Sequence, residues 1–146
     1  MRSSTAQIDI GATPLAVWGA LTSADQTPLI FSGLRLVSAW QPDLTVDAYH
    51  CATHIATGSV VLADAPRLLV YRLEDPVTTE VDCWISWHLQ QREQGITRVR
   101  LTVDTLPIDP PVDSIRLLSN LKTYLETSSP LTTGTAAGRP PGRVGG

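Results

Sequence analysis

The stretch Glu80-Val81-Asp82-Cys83-Trp84-Ile85-Ser86-Trp87-His88-Leu89-Gln90 decides the fold. Val81, Cys83, Ile85, Trp87 and Leu89 alternate with Asp82, Trp84, Ser86, His88 and Gln90, the period of a strand with one face on a core. Outward from it, the same period returns in Leu69, Tyr71 and Leu73 and in Val99, Leu101 and Val103. Asp75-Pro76 breaks the chain on one side, and Arg92-Glu93-Gln94-Gly95 turns it on the other. Strands of this kind, joined by short polar turns, make an antiparallel sheet whose apolar face must be covered.

The rest of the chain supplies the cover. Ser4 to Ile10 reads as a first strand, with Ala6, Ile8 and Ile10 on one face. Thr13-Pro14 opens a short helix carrying Leu15, Trp18 and Leu21, because Thr caps well and Pro suits the first turn. A second short helix through Leu29 to Phe31, capped by Ser23 or Asp25, ends at Gly33. Leu34, Leu36, Ser38 and Trp40 then share a strand face, and further strands are expected at 45–51 and 55–63. Pro107 to Pro111 reads as an extended linker. Asp113 or Ser114 caps a long final helix with Leu117, Leu118, Leu121, Tyr124 and Leu125 as its apolar stripe. The plan is α+β: six or seven antiparallel strands, two short helices after the first, and one helix long enough to cover the sheet.

Composition narrows the function classes. The chain has 146 residues, one domain's worth, with charged residues at 17% against a typical ~25%. Pro130 to Gly146 holds eight Gly or Pro and no aromatic residue, and reads as a disordered tail behind a domain at 1–129. Two of the eleven basic residues, Arg139 and Arg143, lie in that tail and none of the fourteen acidic ones, so residues 1–129 carry −5. Such a charge is unsuited to nucleic acid. No apolar run approaches the ~18 residues of a membrane span, and no leader peptide is visible, so a cytoplasmic location is expected. Cys51 and Cys83 are too far apart for a metal knuckle and fit reduced thiols.

Several stretches resemble the stand-alone relatives of the Hsp90 ATPase activator C-terminal domain, within the START/Bet v 1-like (SRPBCC) superfamily. Ile8-Asp9-Ile10-Gly11-Ala12-Thr13-Pro14-Leu15-Ala16-Val17-Trp18-Gly19-Ala20-Leu21-Thr22 is similar to that family's first strand and helix. Gly58 to Tyr71, with Pro66 and Leu69-Val70-Tyr71, resembles its hairpin, and Ile85-Ser86-Trp87-His88-Leu89 followed by Gly95-Ile96-Thr97-Arg98-Val99 resembles the next one. Leu118 to Thr127 resembles the end of its last helix. The ordered set spans roughly residues 6 to 127. The family usually has a Trp-Phe pair where this chain reads Leu29-Ile30-Phe31-Ser32-Gly33, near the cavity mouth of such folds.

The resemblance implies a helix-grip fold, a curved sheet wrapped on the C-terminal helix with a pocket between them. The candidate lining is Trp40, Leu69, Tyr71, Cys83, Ile85, Trp87, Leu101, Leu118 and Leu121. A small apolar or amphipathic molecule is the expected partner, with the Tyr71 hydroxyl and Trp87 N–H as its polar handles. Plain core packing competes, since a helix on a sheet needs large apolar residues whatever the function. The resemblance also implies two alternatives, a polyketide cyclase or dehydratase and a chaperone-interaction module. An Hsp90-type chaperone is the weaker partner, because the separate N-terminal domain of the co-chaperones is not seen. A homodimer is left open.

No catalytic group is nominated by pattern. On one strand His50 and His54 would lie ~13 Å apart, too far to share one zinc; a helix would put them on one face, but Cys51 stands where the zincin pattern needs Glu, and they read as hairpin histidines near a turn. Neither a metal nor a cofactor is called for. Cys51 lacks a recognisably partnered base, and no nucleotide or nucleophile-elbow motif occurs. For an enzyme, Tyr71, Tyr49 or His54 are the candidates. Asp82 and His88 fall on the strand face opposite Cys83 and Trp87.

Overall fold

A computed structural model describes residues 2–74, 81–105 and 113–128. The expected break at Asp75-Pro76, the linker at Pro107 to Pro111 and the tail at 130–146 lie outside the described residues. Seven strands and three helices follow in the order β1 (Arg2–Ile10), α1 (Pro14–Leu21), α2 (Thr27–Ile30), β2 (Leu34–Ser38), β3 (Thr45–His50), β4 (Thr53–Asp64), β5 (Leu68–Glu74), β6 (Val81–Glu93), β7 (Ile96–Thr105) and α3 (Ser114–Ser128). The strands form one antiparallel sheet in the order β1-β7-β6-β5-β4-β3-β2. From β2 to β7 it is a meander, and β1 closes on β7, so every pairing is antiparallel.

Alternation sets the faces as the sequence implies. Val60, Tyr71, Ile85 and Val103 line up across β4, β5, β6 and β7, and Leu69, Trp87, Leu101 and Ala6 form the neighbouring row. All but Ala6, which is half-buried, lie in the core. A bulge at Val61 interrupts the β4–β5 register, so Val61 and Leu62 are exposed although flanked by core residues. That extra residue was not visible as a break in the alternation.

The helices differ in small ways from expectation. Thr13 caps α1, its Oγ1 accepting from the Ala16 N–H at 3.2 Å. α2 is capped by neither Ser23 nor Asp25: it starts at Thr27 after Gln26, with no side-chain cap. The Thr27 hydroxyl instead faces the sheet, accepting the Leu36 N–H at 3.0 Å and so occupying a donor of edge strand β2. Asp113 rather than Ser114 caps α3, accepting the Arg116 N–H at 3.1 Å, while Ser114 is buried against Ser4.

α3 packs chiefly on β1, β7, α1 and α2 rather than across the middle of the sheet. Two polar ties fix it beside α2: Asn120 Nδ2 donates to the Ile30 carbonyl at 3.0 Å and the Tyr124 hydroxyl pairs with Gln26 Oε1 at 2.9 Å. On its opposite face Lys122 Nζ donates to the Asp9 carbonyl at 2.8 Å and to Glu126 Oε2 at 2.7 Å, and Glu126 also accepts the Gly11 N–H at 2.8 Å. Among the described residues no helix is long and apolar enough to cross a membrane.

Lys122 and the Gly11 amide hold the Glu126 carboxyl below its ordinary range. A lowered folded-state value stabilises the fold above the unfolded value and is lost as pH falls through the folded one. Urea midpoints should therefore separate the parent from Glu126→Gln at neutral pH and converge in acid. At Gly58 an added methyl would sit 1.8 Å from the Arg72 carbonyl oxygen, whereas at Gly19 it meets nothing within 4 Å. Gly58→Ala should cost about 3 kcal/mol or more, and Gly19→Ala, inside α1, should stabilise by ~0.5–1 kcal/mol, both read by urea denaturation.

Candidate functional site

The centre of the inner face holds one buried polar pair. Trp87 on β6 and Tyr71 on β5 are both excluded from solvent, and the indole Nε1–H donates to the Tyr71 hydroxyl oxygen at 3.3 Å. Burial pushes the phenol well above its usual range, so it stays protonated at any pH the protein meets. The hydroxyl thus accepts one hydrogen bond and carries a proton for which none of the described residues supplies an acceptor.

Two further aromatic rings rest on this pair. Phe31, just after α2, meets Trp87 edge-on with centroids 6.0 Å apart, and Trp40, just after β2, meets Tyr71 edge-on at 5.4 Å. Both are half-buried. The alternation predicts Trp40 on the inner face of β2, but the strand stops at Ser38. Trp40 has φ +55°, with its N–H donating to Ser38 Oγ at 2.9 Å, and reaches Tyr71 from a turn. Such a backbone is costly for a bulky residue. On the other flank of β2, Ser32 and Gly33 have φ +55° and +94° beside Phe31.

The other candidate lining residues divide. Leu69, Ile85 and Leu101 surround the pair from the sheet, and Leu118 and Leu121 are buried on α3. Cys83 is half-buried one row further on, across from Leu73 on β5 and Thr105 on β7. Phe31, outside the expected lining, belongs with them; its place in the stretch where the resembled family has an aromatic pair is the available signal.

Tyr49 and His54 stand elsewhere. They are cross-strand neighbours on the outer face of the β3–β4 hairpin, with rings 5.1 Å apart, and Arg35 lies 5.0 Å from the Tyr49 ring. Asp47 accepts from His54 at 3.0 Å and from the Thr57 hydroxyl at 2.9 Å. Of the three candidates for an enzyme, Tyr71 alone is on the inner face. His50 pairs with Thr53 across the same hairpin turn, and Cys51 occupies that turn with φ +57°. Cys51 and Cys83 are not joined in a disulfide. Trp84 is half-buried on the outer face, between Arg72 and Asp104. His88 is on that face too, while the side chain of Asp82 lies outside the described residues.

No family model matches the sequence, and no curated protein matches it. Solved structures do. A Mesorhizobium loti protein superposes with TM-score 0.70 at 14% identity, over 88% of this chain and 100% of that one. The Aha1 dimer from Colwellia psychrerythraea gives TM-score 0.66 at 20% identity, over 89% and 100%. The chain shares its fold with these structures, the Aha1 dimer among them. The same fold appears in the di-domain ARO/CYC protein BexL of the BE-7585A biosynthetic pathway, with TM-score 0.69 and 16% identity; the match covers 89% of this chain and 48% of that protein. At these identities the likeness concerns architecture.

Removing the Tyr71 hydroxyl alone would strand the buried Trp87 N–H. Tyr71→Phe should cost about 1–3 kcal/mol in urea unfolding. Trp87→Phe added to Tyr71→Phe should cost less than the sum of the two single changes, because neither polar group then remains.

Proposed function

We propose that this helix-grip domain binds a small apolar or amphipathic molecule between the sheet and α3, with Tyr71 as its polar anchor. The observation that carries the reading is the buried Tyr71 hydroxyl, whose proton has no acceptor among the described residues. Leaving such a donor unmatched costs free energy that a ligand oxygen would recover. The ligand is therefore one with a carbonyl, ether or hydroxyl oxygen on a largely hydrocarbon body. Trp40, Leu69, Cys83, Ile85, Trp87, Leu101, Leu118 and Leu121 line its site. Trp40 and Phe31 cover the anchor and swing aside to admit it. Their turns, strained at Trp40 and Ser32, support that role.

A second reading draws on the same hydroxyl. A phenol held protonated beside a bound carbonyl can polarise it, which is the use a cyclase would make of it. The ARO/CYC neighbour suggests such a use, as the Aha1 neighbour suggests a chaperone module. A homodimer is in keeping with the dimeric Colwellia protein.

Tryptophan emission during titration with lipids, polyketide-like aromatics and isoprenoids tests the proposal. Oxygen-bearing members should quench or shift the emission, and Tyr71→Phe, once shown to be folded, should weaken them by up to about tenfold. Oxygen-free hydrocarbons should bind Tyr71→Phe as they bind the parent. Silence across the whole panel would overturn the proposal, as would a Trp87→Phe variant that binds and quenches like the parent.

A further inference from the structure

The outer face of the sheet carries a concavity. Four strands contribute one cross-strand row to it: Leu68 on β5, His88 on β6, Arg100 on β7 and Gln7 on β1. Arg98 from the adjoining row and Arg67 from the β4–β5 turn complete a hollow of about 400 Å³. That volume falls in the range of small-molecule sites, ~300–1,000 Å³.

Its charge is unbalanced. Arg98 is engaged by Asp9, Nε to Oδ1 at 2.9 Å, and Arg67 by Asp64. Arg100 has neither an ion pair nor a hydrogen bond among the described side chains. A third guanidinium thus faces the hollow without a counter-charge, in a domain whose residues 1–129 carry −5. Gln7 adds an amide donor beside it, and Leu68, half-buried, offers an apolar patch. His88 sits directly across from Arg100, and burial together with that cation lowers its pKa, so at neutral pH its ring is uncharged and presents one N–H.

We propose that this concavity binds a small organic oxyanion, a carboxylate or phosphate ester, on Arg100 with Gln7 and His88 beside it and its apolar part on Leu68. The planar guanidinium matches two oxygens of either group. The site is on the opposite face of the sheet from Tyr71, and the proposal is independent of the function proposed for that residue.

Binding can be read at His88. The charged groups that line the hollow with its ring are Arg100, Arg98, Arg67 and Asp64, with Asp9 ion-paired to Arg98, and an added anion offsets the repulsion from Arg100. The full chain, at low ionic strength, would be titrated with phenyl phosphate, benzoate and inorganic phosphate while the His88 ring resonances are followed by NMR. Phenyl phosphate or benzoate should shift these resonances saturably and raise the His88 titration midpoint. Arg100→Gln should weaken either probe by about tenfold or more, and Arg116→Gln, on the exposed side of α3, should change nothing. No shift with any probe at about 10 mM, ample for a Kd of ~1 mM, would overturn the proposal, as would equal binding by Arg100→Gln. Inorganic phosphate binding as tightly as both organic probes would overturn the assignment of an organic ligand.

Discussion

Trp87 can be buried in the middle of the sheet because the Tyr71 hydroxyl is there to accept its indole N–H. An indole N–H without an acceptor in that position would cost roughly 1–3 kcal/mol, a sizeable part of a domain's net stability. Much of the inner face is arranged around this pair. The β5–β6 register sets Leu69 across from Trp87 and Tyr71 across from Ile85, so the two polar side chains lie in adjacent rows and meet diagonally. A one-residue slip would turn both to the outer face.

The pair also divides the sheet into two unequal regions. On the β1–β7 side, α3 is seated by Lys122, Glu126 and the buried leucines, and its polar ties reach α2 through Asn120 and Tyr124. On the β2 side the cover is lighter: a four-residue helix, a five-residue edge strand and two half-buried aromatic rings on turns with positive φ. Local opening is cheapest where fewest buried contacts must be broken. The flanks of β2 are therefore where the proposed function needs a route to Tyr71, through the thinnest part of its cover.

Most of the fold was legible because a two-residue period leaves little freedom once one face is apolar. Val81 to Leu89, Leu69 to Leu73 and Val99 to Val103 each declare their inner residues, and short turns leave antiparallel pairing as the economical connection. The sequence could not declare events that depend on pairing. The bulge at Val61 is such a case, and so is the turn that takes Trp40 out of β2 while leaving its ring on Tyr71. Tyr71 and Trp87 were legible as polar handles, but not as partners of each other, since sixteen residues separate them and only the register brings them together. The outer-face hollow was hidden for a related reason: Gln7, His88 and Arg100 look like ordinary solvent-facing positions until three strands are laid side by side.

The central claim is that Tyr71 and Trp87 form a ligand handle reached by local movement of Trp40 and Phe31, and not merely a sealed part of the core. Hydrogen exchange of the Trp87 indole N–H, followed by NMR across low urea concentrations, addresses it directly. Local opening exposes little surface, so the exchange rate should be nearly independent of urea and its opening free energy well below that of global unfolding. Exchange that rises with urea along the global unfolding line from the start would contradict the account.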